Sequence, residues 1–288
     1  MGATYGKTDK PEPEMPNVLE LYPNNGLVFN DWFLPPEVVS HILTFFEPTL
    51  TARRVCRAWR DMVDTVVIRE KICREVPGAN ILLFQHENLE WQDFYLFWSR
   101  KPYMKNKNLL KNGSAEEQLQ HWSVRSSRYG GNGTKWIVES EPVGCDPFPA
   151  GARKCFATSF DWCSAEQLIN LCEFGLSIPF MKNVRPNIHI EEWYAGRFDC
   201  GSIYSLKVSL LNSSLEIIDS FAFETTNHGS EWSKVEHVFS DYQGSVACIL
   251  FHHKGKDTQF WAGHYGSKMT GGKVYISLPN RLPNNTNR

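Results

Sequence analysis

Tyr204-Ser205-Leu206-Lys207-Val208-Ser209-Leu210-Leu211 sets the apolar side chains of Tyr204, Leu206, Val208 and Leu210 at every second position. Successive side chains of a strand point to opposite faces, so this period builds one apolar face and one polar face. The same texture recurs in short runs at 136–138, 155–159, 188–193, 235–239, 246–251 and 273–277, separated by glycine- and asparagine-bearing stretches. Short alternating strands with turns between them predict an antiparallel β-sandwich for the C-terminal part of the chain.

Toward the N-terminus the period changes. Leu34, Pro35 and Pro36 open a helix, where proline is tolerated because the first N–H groups have no intrahelical partner. Val38, Val39, Ile42, Leu43 and Phe46 follow at helical spacing as one apolar stripe, and Pro48 stops it. A second helix is expected over 51–63, with Val55, Trp59 and Met62 on one face and Arg53, Arg57 and Arg60 elsewhere. In 88–98, the residues Leu89, Trp91, Phe94, Tyr95, Leu96 and Phe97 crowd together, which reads as a linker helix buried between two domains. The fold class is therefore multidomain α plus β: a small helical block, a helical linker and a C-terminal antiparallel β-sandwich.

A chain of 288 residues, 42% of them hydrophobic, suits two folded units. Its 30 basic residues against 32 acidic ones leave a net charge of -2, with no global attraction for nucleic acid or an anionic membrane. The polar start, with Pro11, Pro13, Pro16 and Pro23, has no apolar signal-peptide stretch, so a cytoplasmic protein is expected. No run reaches the roughly 18 to 20 apolar residues needed to span a bilayer. The eight cysteines include no C-x-x-C pair, which argues against a zinc ribbon or a dithiol redox motif and for free thiols. Sequons at Asn112, Asn132, Asn212 and Asn284 read as chance triplets in such a protein. No metal and no cofactor is implied.

Leu34-Pro35-Pro36-Glu37-Val38-Val39, followed by Arg54-Val55-Cys56-Arg57-Ala58-Trp59-Arg60, resembles an F-box, whose pattern runs from an LPxE start to a VCRxWR close. Val66-Val67-Ile68 stands where Leu-Trp is usual after the close. The resemblance implies docking on the Skp adaptor of a Skp–cullin–F-box ubiquitin ligase through Leu34, Pro35, Val38, Val39, Ile42 and Leu43. The remainder resembles the F-box-associated domain of the glycoprotein-recognising F-box subfamily. It does so at Asn108-Leu109-Leu110-Lys111-Asn112, Gly130-Gly131-Asn132-Gly133, Ser159-Phe160-Asp161-Trp162-Cys163, Trp193-Tyr194-Ala195-Gly196-Arg197, Asp199-Cys200-Gly201 and Phe260-Trp261-Ala262-Gly263-His264-Tyr265-Gly266.

That family implies a division into a disordered segment (1–28), F-box (29–76), helical linker (77–104), galactose-binding-like or jelly-roll-like sandwich (105–280) and tail (281–288). It also implies a non-catalytic substrate-recognition subunit that takes the inner chitobiose of high-mannose N-glycans on misfolded glycoproteins. Those would then be ubiquitinated for degradation at the cytosolic face of the endoplasmic reticulum. Glycan contacts would fall on Phe160, Asp161, Asp199, Phe260, Trp261 and Ala262.

A pyranose has a face of C–H bonds and a rim of hydroxyls, so its receptor needs an aromatic plane and fixed hydrogen-bond partners. Trp261 can supply the plane. Asp199 can accept from hydroxyl or amide groups, or can simply form a turn ahead of Gly201. Trp162, Trp193, Tyr204 and Trp232 read as core residues. Sugar-binding relatives can carry Tyr-Trp-Lys where this chain has Phe260-Trp261-Ala262, without that hydroxyl and ammonium. An adaptor whose sandwich binds protein surfaces without sugar is therefore the alternative.

Enzyme chemistry would have to use Cys163, Cys200, His252, His253 or His264, none of which forms a nucleophile or zinc motif, and His252 and His253 would face opposite sides of a strand. Arg53, Arg54, Arg57 and Arg60 could suggest nucleic acid, but they belong to the F-box close. Gly2 invites myristoylation with Gly6 where the motif wants Ser or Thr, and one acyl chain gives only weak membrane contact.

Overall fold

A computed structural model describes residues 26–30, 32–47, 49–76, 79, 88–104, 107–126 and 136–279. Residues 1–25 of the segment expected to be disordered (1–28), Pro48, most of 77–87, the run at 130–133 and the tail at 281–288 lie outside the described residues, and the end of that first segment is ordered, with Leu27 buried and Val28 in a strand. The chain divides into two compact units, residues 1–71 and 72–288.

The first unit opens with a short antiparallel hairpin of β1 (Val28–Phe29) and β2 (Trp32–Phe33). Helices α1 (Pro36–Thr44), α2 (Thr49–Ala52) and α3 (Arg57–Met62) follow, then a π-turn (Val63–Val67) and the start of α4 (Ile68–Glu75). The single apolar stripe expected on α1 is two stripes. Val39 and Leu43 are buried in the core, whereas Val38, Ile42 and Phe46 are exposed. Pairs four residues apart share a helix face, and the two pairs sit one residue, about 100°, apart. The expected helix over 51–63 is also broken. Arg53–Val55 form a turn that leaves Val55 exposed while Met62 is buried, so the two do not share a face. Cys56 then starts α3, its sulfur accepting from the Trp59 N–H at 3.4 Å. A bidentate pair from Arg53 to Asp64, at 2.8 and 3.0 Å, ties the turn to the π segment.

In the second unit α5 (Trp91–Arg100) opens on a Glu90/Asp93 capping box. The helix expected to lie buried between two domains packs within this unit, on a 3-10 turn (Leu171–Phe174) and α6 (Ile178–Val184). Phe97 stacks on Phe180 at 4.5 Å, and Ser177, the N-cap of α6, donates to Asp93 at 2.5 Å.

The sandwich consists of two five-stranded antiparallel sheets. One has the order β10 (Ser233–Phe239), β7 (Asn187–Ala195), β12 (Lys268–Ser277), β5 (Cys155–Ala157), β4 (Ile137–Glu139). The other runs β3 (Ser123–Ser126), β6 (Cys163–Asn170), β11 (Cys248–Asp257), β8 (Ser202–Leu211), β9 (Ile217–Asn227). Three of these strands have no counterpart among the expected runs: β3, β6 and β9. In β6 the buried positions are Cys163, Ala165, Gln167 and Ile169, too small or polar to draw an apolar alternation. Strand β9 is a sheet edge with much of its length exposed.

A polar cluster joins the two sheets through the middle of the core. Glu192 of β7 accepts the Tyr204 hydroxyl of β8 at 2.7 Å on one oxygen and lies 2.8 Å from His253 Nδ1 of β11 on the other. All three side chains are fully buried. Trp122 and Trp136 stack on the His253 ring at 4.4 and 5.2 Å. Burial, with the adjacent carboxylate, pushes the Tyr204 hydroxyl well above its ordinary pKa, so it remains a donor at neutral pH. Removing one member strands the others without partners in a low-dielectric interior. Glu192→Ala should lower stability by about 3 kcal/mol, read from the denaturant midpoint. Glu192→Gln keeps an acceptor for Tyr204 and should lose roughly half as much.

Candidate functional site

Three loops meet at the end of the sandwich where β6 and β8 begin and β11 finishes: residues 158–162, 196–201 and 258–267. Asp257, the last residue of β11, is buried. Its Oδ1 accepts from the N–H groups of Gln259 at 3.1 Å and Phe260 at 2.6 Å, and its Oδ2 from Trp261 at 3.1 Å. A short carboxylate side chain bonding the next few backbone N–H groups is how aspartate shapes a turn. Here it holds Phe260 in the left-handed region, φ 59°, a conformation that costs a non-glycine residue about 1 kcal/mol or more.

A second set of bonds ties this loop to 158–162. The Ser159 hydroxyl donates to the Gly263 carbonyl at 2.6 Å, and the Ser159 carbonyl accepts from Asp257 N–H at 3.1 Å. The Gly266 N–H donates to the Thr158 carbonyl at 3.1 Å. A Cβ on Gly266 would lie 2.3 Å from the Thr158 hydroxyl oxygen, so only glycine allows this approach.

The outcome is an aromatic tip. Phe260 is 70% exposed and Trp261 44% exposed, with Ala262 exposed beside them. Phe160, half-buried, meets Phe260 edge to face at 4.9 Å, and Trp261 meets Tyr265 edge to face at 5.5 Å. Phe160, Phe260, Trp261 and Ala262, four of the six residues expected to touch ligand, therefore gather on two adjoining loops. Asp161 serves its own turn, its Oδ1 accepting from the Trp162 N–H at 2.7 Å.

Asp199, on the 196–201 loop, is held by Arg197 in a bidentate pair at 2.8 and 2.9 Å. The guanidinium holds its carboxyl below the usual aspartate range. Each carboxylate oxygen has two lone pairs and uses one on Arg197, so acceptor capacity remains toward solvent.

Several expectations need correction. Tyr204 is a core residue, but Trp162, Trp193 and Trp232 are only half-buried. Lys254 and Lys256 lie 4.2 and 5.1 Å from the Trp162 ring, and Trp232 donates to the Asp146 carbonyl at 3.0 Å. Trp193 follows Glu192 on β7, and with Glu192 inward the strand period turns Trp193 outward. On α1, Val39 and Leu43 belong to the first unit's core, leaving Pro35, Val38 and Ile42 exposed and Leu34 half-buried.

Asp257, Arg197, Tyr265 and Phe198 are parts of this end for which the sequence suggested no role. Asp257-Thr258-Gln259-Phe260 does carry an aspartate turn signal. Phe198, 72% exposed between Arg197 and Asp199, carries no periodic signal at all.

The family described as F-box associated region matches residues 99–276, and a pattern described as F-box-like matches residues 32–75. The chain is 36% identical over 237 residues to F-box only protein 6 of Mus musculus, covering 78% of this chain and 75% of that protein. It is 33% identical over 297 residues to F-box only protein 27 of Mus musculus, covering 96% and 99%. To F-box only protein 44 of Homo sapiens it is 33% identical over 257 residues, covering 85% and 96%. A xylan-binding domain from Paenibacillus barcinonensis covers 60% of this chain and 96% of its own at 13% identity, but its TM-score of 0.36 is too low to bear on ligand or fold.

A helical F-box joined to a loop-tipped antiparallel sandwich defines a class, the substrate-recognition subunits of Skp–cullin–F-box ubiquitin ligases. The chain belongs to the F-box-associated family of F-box only proteins.

Asp257→Ala should speed amide hydrogen exchange at Gln259, Phe260 and Trp261 by tenfold or more. It should also lower stability by about 2 kcal/mol, because three backbone donors lose a charged acceptor together.

Proposed function

We propose that the sandwich tip binds the inner chitobiose of high-mannose N-glycans on misfolded glycoproteins, and that the F-box brings these to the ligase for ubiquitination and endoplasmic-reticulum-associated degradation. The supporting observation is the pair of exposed rings, Phe260 and Trp261, on a loop whose backbone is anchored by buried Asp257. An indole offers its plane to the C–H face of N-acetylglucosamine, Phe160 and Phe260 border it, and Asp199 accepts from the sugar rim. The chain contributes proximity and no covalent step, since two binding modules on one adaptor raise the effective concentration of substrate at the ligase.

Docking to the Skp adaptor would use the exposed stripe of α1, Pro35, Val38 and Ile42, with Leu34 at its margin. Among the described residues no helix is long and apolar enough to cross a membrane. A second reading, an adaptor that binds protein surfaces without sugar, is favoured by Phe260 and Ala262, which bring neither hydroxyl nor ammonium.

On a glycan array the full chain should retain high-mannose glycans with an intact chitobiose core. Trp261→Ala should weaken that binding by about 2 kcal/mol or more, the usual weight of a central aromatic anchor. Substrate capture that persists after enzymatic removal of N-glycans would decide for the second reading.

A further inference from the structure

We infer that Arg197 is a positioning residue for this site: clamped between Asp199 and the Tyr265 ring, it sets the direction in which the Trp261 indole faces. The inference rests on the glycan reading and identifies what fixes the ring that the sugar would meet.

The bonds to Asp257 determine where the Trp261 backbone lies, but not how its indole turns about the side-chain torsions. Tyr265 packs against the indole with the two rings perpendicular, at 5.5 Å and 89°. Tyr265 is in turn covered by Arg197, whose Cζ stands 4.4 Å from the phenol centroid. The guanidinium is fixed on its other edges. Nε and Nη2 donate to the two oxygens of Asp199 at 2.8 and 2.9 Å, and Nη1 donates to the Val143 carbonyl at 3.3 Å.

The backbone accommodates this group closely. Gly144 has φ 75°, and a Cβ there would stand 2.9 Å from Arg197 Cζ. The Arg197 side chain is 12% exposed, so these contacts are largely shielded from water.

A planar fork can pair bidentately with a carboxylate while its face lies on an aromatic ring, and an ammonium cannot do both. Arg197 therefore adds a side-chain link between the 196–201 and 258–267 loops to the backbone bond from Thr258 N–H to the Gly201 carbonyl at 2.8 Å. Asp199 has two duties, holding the guanidinium with one lone pair of each oxygen and facing ligand with the other. A ring held before ligand arrives needs no ordering on binding, which preserves affinity.

The test uses the full chain, di-N-acetylchitobiose as probe and 5-fluorotryptophan labelling, with the Trp261 fluorine line assigned by Trp261→Phe. Arg197→Lys keeps the charge but loses the fork and the stacked face. It should weaken chitobiose binding roughly tenfold and shift or broaden the Trp261 line, while the other tryptophan lines stay in place as a control for folding. Tyr265→Leu should have the same two effects. The double variant should bind no worse than the weaker single one, because both changes break one chain of contacts.

An Arg197→Lys protein that binds as wild type overturns the inference, whatever its fluorine line does. If the wild type itself does not take chitobiose, the glycan reading has failed. The Trp261 line then decides alone: movement in Arg197→Lys upholds the positioning of the indole, and an unmoved line overturns it.

Discussion

Glu192 sits in the interior with one carboxylate oxygen on Tyr204 and the other on His253, and through those two contacts one sheet is registered against the other. An apolar core tolerates small slides between sheets, whereas a buried carboxylate with two directional partners tolerates very little. His253, Gly255 and Asp257 share the inward face of β11, so the contact that fixes His253 also fixes where Asp257 emerges at the strand end. A slip of one residue would turn both outward and leave the tip loop without its anchor.

Buried polar side chains paired in this way recur in the second unit. Lys268, fully buried, pairs with Glu139 at 2.7 Å. The Gln167 amide bonds both the N–H and the carbonyl of Lys111, and the Asn108 side chain bridges Leu110 N–H, Val274 N–H and the Gly272 carbonyl. These groups stitch the segment before β3 onto both sheets. Burial raises the Cys145 thiol to about 11 and the Cys155 thiol further, so both remain protonated and unreactive at neutral pH. A scaffold made rigid in this way can carry a tip loop that exposes apolar rings.

At that tip, local strain and exposure occur together. Phe260 adopts a left-handed backbone and turns its ring to solvent, each unfavourable for a folded chain considered alone. Asp257 offsets the first, and a flat apolar ligand would offset the second. Two layers act here: backbone bonds from Asp257 and Ser159 place the loop, and side-chain contacts from Arg197 through Tyr265 orient the indole.

The sequence by itself determined the two-part architecture, because a change of apolar period from about 3.6 to 2 is written directly in residue order. It also determined the aromatic cluster around Phe260 and Trp261, since those residues are neighbours in the chain. Tertiary structure alone decided which side of each element faced inward. Glu192 took the interior position and turned Trp193 outward, and the α1 stripe divided into buried Val39 and Leu43 beside exposed Val38 and Ile42. It alone also brought the Arg197–Asp199 pair of one loop against Tyr265 of another. Burial and long-range pairing depend on which partner occupies the opposite sheet, and local spacing along one chain holds no record of that partner.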